Sequence, residues 1–275
     1  MTHPDLPDWR ESLPWPGPDA HKHARGRVAV VSGRALQTGA ARLAARASLR
    51  IGAGLVRVLC PPDAALALAP TLEAVMLEMF HSPESLGHQA REMDAVVIGP
   101  AAGVGEATAM NVDALADTGA ALVIDADALT SFEHRPGDLF AVLDRDDVLT
   151  PHEGEFKRLF PGVLEAGREA AALEAAKRSG AVVVLKGRET VIASSDGRVA
   201  INDNGSPWLA TAGSGDVLAG MIAGLAAQRM DSFDAARAAV WMHADAAHRF
   251  GPGLIAEDLP EMLPVVLGAL YDGAH

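Results

Sequence analysis

Residues 27–61 read RVAVVSGRALQTGAARLAARASLRIGAGLVRVLCP. RVAVVSG (27–33) is a short apolar run closed by glycine, the pattern of a strand buried on both faces. GAARLAARASLRIGAG (39–54) has helical periodicity. Leu43, Ala47 and Ile51 share one face, Arg42, Arg46 and Arg50 another, and Gly52 and Gly54 end the helix. LVRVLCP (55–61) is a second strand. A strand, a helix and a strand in close succession form the unit that joins parallel neighbours in a sheet.

The alternation continues down the chain. AVMLEM (74–79), DAVVIGP (94–100), ALVIDADAL (121–129) and AVVVLKG (181–187) read as strands, and DVLTPHEGEF (147–156) as a short strand followed by a turn. TVIASSDGRVAIND (190–203) sets Asp-Gly between two runs, a hairpin signal. Helices follow over 215–228, 233–250 and 259–270, the first with Val217, Leu218, Met221, Ile222 and Leu225 on one face. The expected fold is α/β, a mostly parallel sheet covered on both faces. Residues 21–275 show no repeat or linker and read as one domain, with 1–20 a proline-rich extended arm.

Composition narrows the function. A net charge of −13 argues against nucleic acid as a partner, though a local pocket can still oppose the global field and hold an anionic small molecule. The single Cys60 forms no internal disulfide, which suits a reducing compartment. MTHPDLPDWRESLPWPGPDA (1–20) lacks the basic start and apolar core of a signal peptide. No apolar run reaches the roughly 18 residues of a membrane span, so a soluble cytoplasmic protein with no membrane partner is expected.

Open α/β sheets bind ligands at the carboxyl ends of their strands. Here those ends carry Gly33, Gly99-Pro100, Asp125, Thr150-Pro151-His152 and Lys186-Gly187. TAGSGDVLAGMIAGL (211–225) adds a glycine turn that exposes backbone N–H groups at the start of a helix. Together with the positive end of the helix dipole, that attracts phosphate. No Gly-Lys-Ser/Thr follows, so it is not a Walker loop. Asp216 has two open readings: a carboxylate that favours the dipole, or a base that takes a proton from a hydroxyl attacking a bound phosphate.

Plainer roles compete elsewhere. Lys186 either snorkels from its strand end or reaches a phosphate. His243 and His248, five apart on a helix, read as structural or solvated rather than metal ligands. Asp127 reads as the cap of the following turn. Trp208 either packs in the core or lies against an adenine. Arg42, Arg46 and Arg50 form a solvated stripe or pair with carboxylates across a subunit interface.

HKHARGRVAVVSG, TGAARLAARASLRIGAGLVRV, AVVIGP, VIDADAL, TPHEGEF, VVLKGRETVIAS and PWLATAGSGDVLAGMIAGLAAQ occur in that order. This set, over roughly residues 21 to 265, resembles the ADP-dependent NAD(P)H-hydrate dehydratases of the ribokinase-like superfamily. LATAGSGDVLAG with TPHEGEF is its sharpest part. The resemblance implies a three-layer α/β/α fold without a large lid, and a substrate that is hydrated NADH or NADPH. ADP would serve as co-substrate with Mg2+, and AMP and phosphate would be released. Asp216 would be the catalytic base. Ala40, Gly103, His152 and Asp216 match the family's substrate contacts; Lys186, Gly187, Arg188, Glu189, Thr190 and Gly215 match its nucleotide contacts. Glu155 falls where the superfamily places the acid that helps hold magnesium. A homo-oligomer, such as a tetramer, and a separate epimerase acting on the same hydrate are also implied.

Two positions depart from the family pattern. Gly-Pro-Ala-Ala-Gly (99–103) replaces Gly-Pro-Gly-Leu-Gly, and Ala101 fits that loop with a negative φ. Gln37 stands where a tyrosine is common. The competing functions are an ATP-dependent kinase of a small vitamin-precursor alcohol, which leaves a stable phosphorylated product, and a non-catalytic nucleotide sensor, which shows no turnover.

Overall fold

A computed structural model describes residues 7–272. Nine strands form one sheet: β1 (Arg27–Val31), β2 (Leu55–Cys60), β3 (Met76–Met79), β4 (Ala95–Ile98), β5 (Ala121–Ile124), β6 (Val148–Leu149), β7 (Val182–Leu185), β8 (Thr190–Ala193) and β9 (Val199–Asn202). Their order is β3-β2-β1-β4-β5-β6-β7-β8-β9. All pairings through β7 are parallel; β8 and β9 close the edge antiparallel, as the Asp-Gly hairpin requires.

Alternate strand residues feed two cores. Val28, Val30, Val58 and Val97 face one layer, while Ala29, Val31, Leu59 and Val96 face the other. The first layer holds α1 (Gly39–Arg50), α2 (Ala65–Leu68), α9 (Ser214–Ala227), α10 (Ser232–Phe250) and α11 (Asp258–Asp272). The second holds α3 (Pro83–Ala90), α4 (Glu106–Ala116), α5 (Asp127–Ser131), α6 (Pro136–Val142), α7 (Glu153–Leu159) and α8 (Arg168–Ser179).

The packing of α1 on α9 seats the phosphate-type turn. The buried face of α1 is Ala41, Ala44, Ala45, Ala47 and Ser48, so small residues rather than Leu43 meet α9. A Cβ at Gly220 would stand 2.2 Å from the Ala44 carbonyl oxygen, and Ser48 Oγ donates to the Gly220 carbonyl at 2.8 Å. Ile51 is buried as the pattern predicts, but Leu43 stays half-exposed.

Two other expectations change. The segment after β6 is not a turn: Glu153–Leu159 is helix α7, capped by His152. The proline-rich arm is not simply extended. Residues 1–6 lie outside the described residues, but Asp8–Ser12 makes a 3₁₀ turn, and Trp9, 4% exposed, packs edge-on against Trp241 with centroids 5.7 Å apart.

Candidate active site

The carboxyl ends of β5, β6 and β7 and the start of α9 meet at one place. Asp125 follows β5 and is 2% exposed. Lys186 follows β7, and its Nζ donates to Asp125 Oδ1 at 2.7 Å. Lys186 therefore turns inward onto a buried carboxylate rather than snorkelling. His152 and Lys186 pair as an isolated parallel bridge, and Lys186 N–H donates to the Pro151 carbonyl at 2.9 Å.

Gly213 is the residue before α9, with φ +88°, a conformation that favours glycine. Asp216 lies in the first turn of α9 and makes no hydrogen bond or ion pair with any described residue. Burial, and next the negative charge of Asp125, raise its pKa to about 6; Lys186 opposes them. A Cβ at Gly215 would lie 3.6 Å from both Asp125 Oδ2 and Lys186 Nζ, so the glycine turn opens directly onto the ion pair. On the far side, His243 Nε2 sits 3.0 Å from the Ser214 carbonyl oxygen and 3.2 Å from Ser214 Oγ. Its burial holds the pKa down to about 4, so a neutral imidazole braces the turn. His248 is remote from it, against the Asn204 carbonyl.

His152 and Glu155 form a reciprocal cap. His152 Nδ1 accepts from Gly154 N–H at 2.9 Å and Glu155 N–H at 3.2 Å, and Glu155 Oε2 accepts from His152 N–H at 2.8 Å. His152 Nε2 faces Glu155 Oε1 at 3.4 Å. The cap fixes the orientation of the ring, with Nδ1 toward the backbone and Nε2 toward Glu155. Burial raises the Glu155 pKa; Lys186 lowers it and Asp125 raises it, so Glu155 belongs to the same charge cluster.

Two loops complete the rim. Asp127 is no simple cap: its Oδ2 accepts from Gly103 N–H at 2.9 Å and fixes the 99–103 loop. In that loop Ala101 has φ +57°, not a negative value. The turn needs a left-handed residue there, and alanine adopts it at a cost of about 1–2 kcal/mol. Ala40 lies half-exposed in the first turn of α1. Arg188 and Glu189 are exposed, and Gly187 and Thr190 flank them. Trp208 is 41% exposed, which rules out core packing.

Two residues went unassigned from sequence. Asp125 was noted only as a strand end, although DAD after an apolar run is a usable signal. Arg168 left no signal: it lies in α8, and its guanidinium donates to the carbonyls of Leu185, Lys186 and Glu189 at 3.0, 3.1 and 3.2 Å, tying down the 186–190 loop. Among the described residues no three His, Cys, Asp or Glu side chains converge on a metal position.

A three-layer α/β/α sheet with this glycine turn at its carboxyl end is a ribokinase-like fold. The family model described as NAD(P)H-hydrate dehydratase matches residues 28–263, and the chain belongs to that family. The ADP-dependent (S)-NAD(P)H-hydrate dehydratase of Xanthomonas campestris pv. campestris is 38% identical over 279 residues, covering 94% of each chain. The bifunctional NAD(P)H-hydrate repair enzyme of Gloeobacter violaceus is 41% identical over 252 residues, 88% of this chain and 49% of that one. The chain thus spans about half the length of such bifunctional relatives. The ADP/ATP-dependent NAD(P)H-hydrate dehydratase from Bacillus subtilis, co-crystallized with ATP/Mg2+, superposes with a TM-score of 0.80 at 28% identity, covering 95% of this chain and 96% of that one.

Proposed function

We propose that residues 21–275 act as one catalytic unit that dehydrates hydrated NADH or NADPH at the expense of ADP. The observation that carries this reading is Asp216: unpartnered, part-buried, with a pKa raised to about 6, beside a glycine turn at a helix N-terminus. A general base works best with a pKa near the operating pH. Asp216 takes the proton of the ring hydroxyl, whose oxygen attacks the β-phosphorus of ADP. The bond from that phosphorus to the bridging oxygen breaks and AMP departs. The ring C–O bond then breaks, phosphate leaves with the electron pair, and loss of a neighbouring ring proton restores the dihydropyridine.

The backbone N–H groups of Gly215 and Asp216 face the transferring phosphoryl group, while that of Ser214 donates to the Thr211 carbonyl at 3.4 Å. Lys186 neutralises Asp125 and adds a point charge toward phosphate. Ala40, Gly103 and His152 border the hydrated ring, and the 186–190 loop, Gly215 and the exposed Trp208 border the nucleotide. Magnesium fits as an ion that arrives on the nucleotide's phosphates, since it commonly keeps its waters and takes only one or two carboxylates. Both oxygens of Glu155 face His152, so Glu155 would hold it through water. The ion would supply charge neutralisation on the phosphates.

The unpaired, buried Cys60 suits a reducing cytoplasm. No described helix is long and apolar enough to cross a membrane. A homo-oligomer and a separate epimerase partner remain part of the proposal.

The test is to incubate the protein with hydrated NADH, Mg2+ and either ADP or ATP, following absorbance of the restored dihydropyridine. ADP supports the faster turnover; faster restoration with ATP at equal concentration refutes the ADP assignment. A stable phosphorylated product in place of NADH supports the kinase reading instead.

A further inference from the structure

A cavity of about 630 Å³ lies beside the site, along one face of α1. That volume is within the range of small-molecule sites. Gly39, Arg42, Leu43, Arg46 and Arg50 line one wall; Glu73 and Glu257 also line it. The cavity adjoins the catalytic turn across Leu43. A Cβ on Gly213 would meet Leu43 Cδ1 at 2.6 Å, Ala256 Cβ at 2.9 Å and Asp216 Oδ2 at 4.0 Å. Leu43 is therefore a shared wall, with Asp216 on one side and the cavity on the other. From Gly39 to Arg50 the helix rises about 16 Å at 1.5 Å per residue, enough for the second nucleotide of a dinucleotide.

The three arginines recur at i, i+4 and i+8, so they share one face. Two of them pair within the chain: Arg46 Nε reaches Glu261 Oε1 at 2.6 Å, and Arg50 binds the same carboxylate. Arg42 makes no ion pair with any described residue. It is also the arginine nearest the N-terminus of α1 and the Gly39 end of the cavity.

We propose that this groove holds the adenosine-monophosphate half of the hydrated dinucleotide, with Arg42 on its phosphate. This rests on the dehydratase reading. The nicotinamide end lies at Asp216, and the remainder passes Leu43 into the groove. Arg46 and Arg50, which share the one Glu261 carboxylate, line the wall with a single net positive charge between them. Glu73 and Glu257 accept hydrogen bonds from ribose hydroxyls. The groove serves substrate, not ADP, so its contribution appears in substrate affinity alone.

The experiment compares Arg42→Ala with wild type on two substrates, hydrated NADH and hydrated reduced nicotinamide mononucleotide, which lacks the adenosine-phosphate half. Loss of one charge-assisted phosphate contact raises KM for hydrated NADH about tenfold. KM for ADP stays constant, and KM for the truncated substrate is insensitive to the substitution. Direct titration of NADH by its own fluorescence, with and without Arg42, repeats the comparison without turnover. An unchanged KM and NADH affinity, or an equal loss on both substrates, overturns the proposal. NADH binding that depends on Arg42 in a protein that restores no NADH overturns the dehydratase reading and keeps the groove. A changed oligomeric state with unchanged substrate affinity assigns the groove to a second copy of the chain and overturns the proposal.

Discussion

Asp216→Asn separates the base from the dipole-favouring carboxylate in one variant. An acid in the first turn of a helix gains about 0.3–1 kcal/mol from the dipole, which lowers its pKa. Here the pKa is instead raised from 3.8 to about 6, by burial first and by Asp125 second. That rise corresponds to roughly 3 kcal/mol, and to about 2 kcal/mol once partial solvent screening is allowed for. The sign follows from proton counting. The folded state holds the proton more tightly than the unfolded state, so stability falls as pH rises from about 4 to about 6 and stays lower above that. At pH 8 the wild type carries the full cost of an ionised, part-buried Asp216; Asn, of the same size and neutral, does not.

Asp216→Asn is therefore expected to melt higher than wild type at pH 8, by roughly 4–8 °C for a chain of this size. The difference shrinks as pH falls to about 4 and vanishes below that, as Asp216 becomes protonated in the unfolded state as well as the folded. The same variant loses about 10²–10⁴-fold in kcat, and wild-type kcat/KM rises with pH through about 6. Melting scans at pH 4 and pH 8 with kcat at pH 8 decide the matter. A variant no more stable than wild type at pH 8 refutes the electrostatic account, and near-normal kcat removes Asp216 from the mechanism.

Lys186→Ala strips the partner from a buried Asp125, so it costs about 2 kcal/mol or more in stability and raises KM for ADP more than it lowers kcat; an unchanged KM contradicts the phosphate role. Arg168→Ala frees three carbonyls of the 185–189 segment; KM for ADP rises several-fold and hydrogen exchange at Lys186, whose N–H donates to the Pro151 carbonyl, quickens, whereas unchanged exchange denies Arg168 its hold on the loop. Ala101→Gly relieves a left-handed alanine and raises stability by roughly 0.5–1 kcal/mol; a lower melting temperature shows that the φ is not strained.

The sheet was legible because its strands are buried on both faces and so read as continuous apolar runs, as in β4 and β7. The second layer was not. Its helices are short, and α7 opens with Glu-Gly-Glu, a composition that suits a turn until the His152 cap is seen. Periodicity placed the burial of α1 on Leu43, Ala47 and Ile51, but helix approach distance decides burial here. Gly220 admits the alanine face and leaves Leu43 at the rim. The site residues at strand ends were legible because β–α turns converge at one end of a parallel sheet. The Lys186–Asp125 pair was not, because it joins positions 61 residues apart and only the strand order brings β5 and β7 to the same end. The φ of Ala101 was misread because alanine so rarely takes the left-handed conformation that the loop imposes.

The charge balance of the site explains how a chain of net charge −13 holds a polyanion. Lys186 is shared between Asp125 and the phosphates, so little net positive charge from side chains faces the nucleotide. Attraction comes from the N–H groups and dipole of α9, and the ionised Asp216 works against it. Nucleotide binding and protonation of Asp216 are thus linked, and each favours the other. Removing that charge is expected to tighten ADP binding. One like charge at close range across an effective dielectric near that of a protein surface is worth on the order of 1 kcal/mol or more, about fivefold in Kd. Calorimetric titration of ADP into Asp216→Asn and wild type tests this at two pH values. The variant binds about fivefold tighter at pH 8 and equally at pH 5, where the wild-type carboxyl is largely protonated. Equal affinity at pH 8 places Asp216 too far from the phosphates to serve the reaction, and weaker affinity makes it a direct contact of the nucleotide rather than a base.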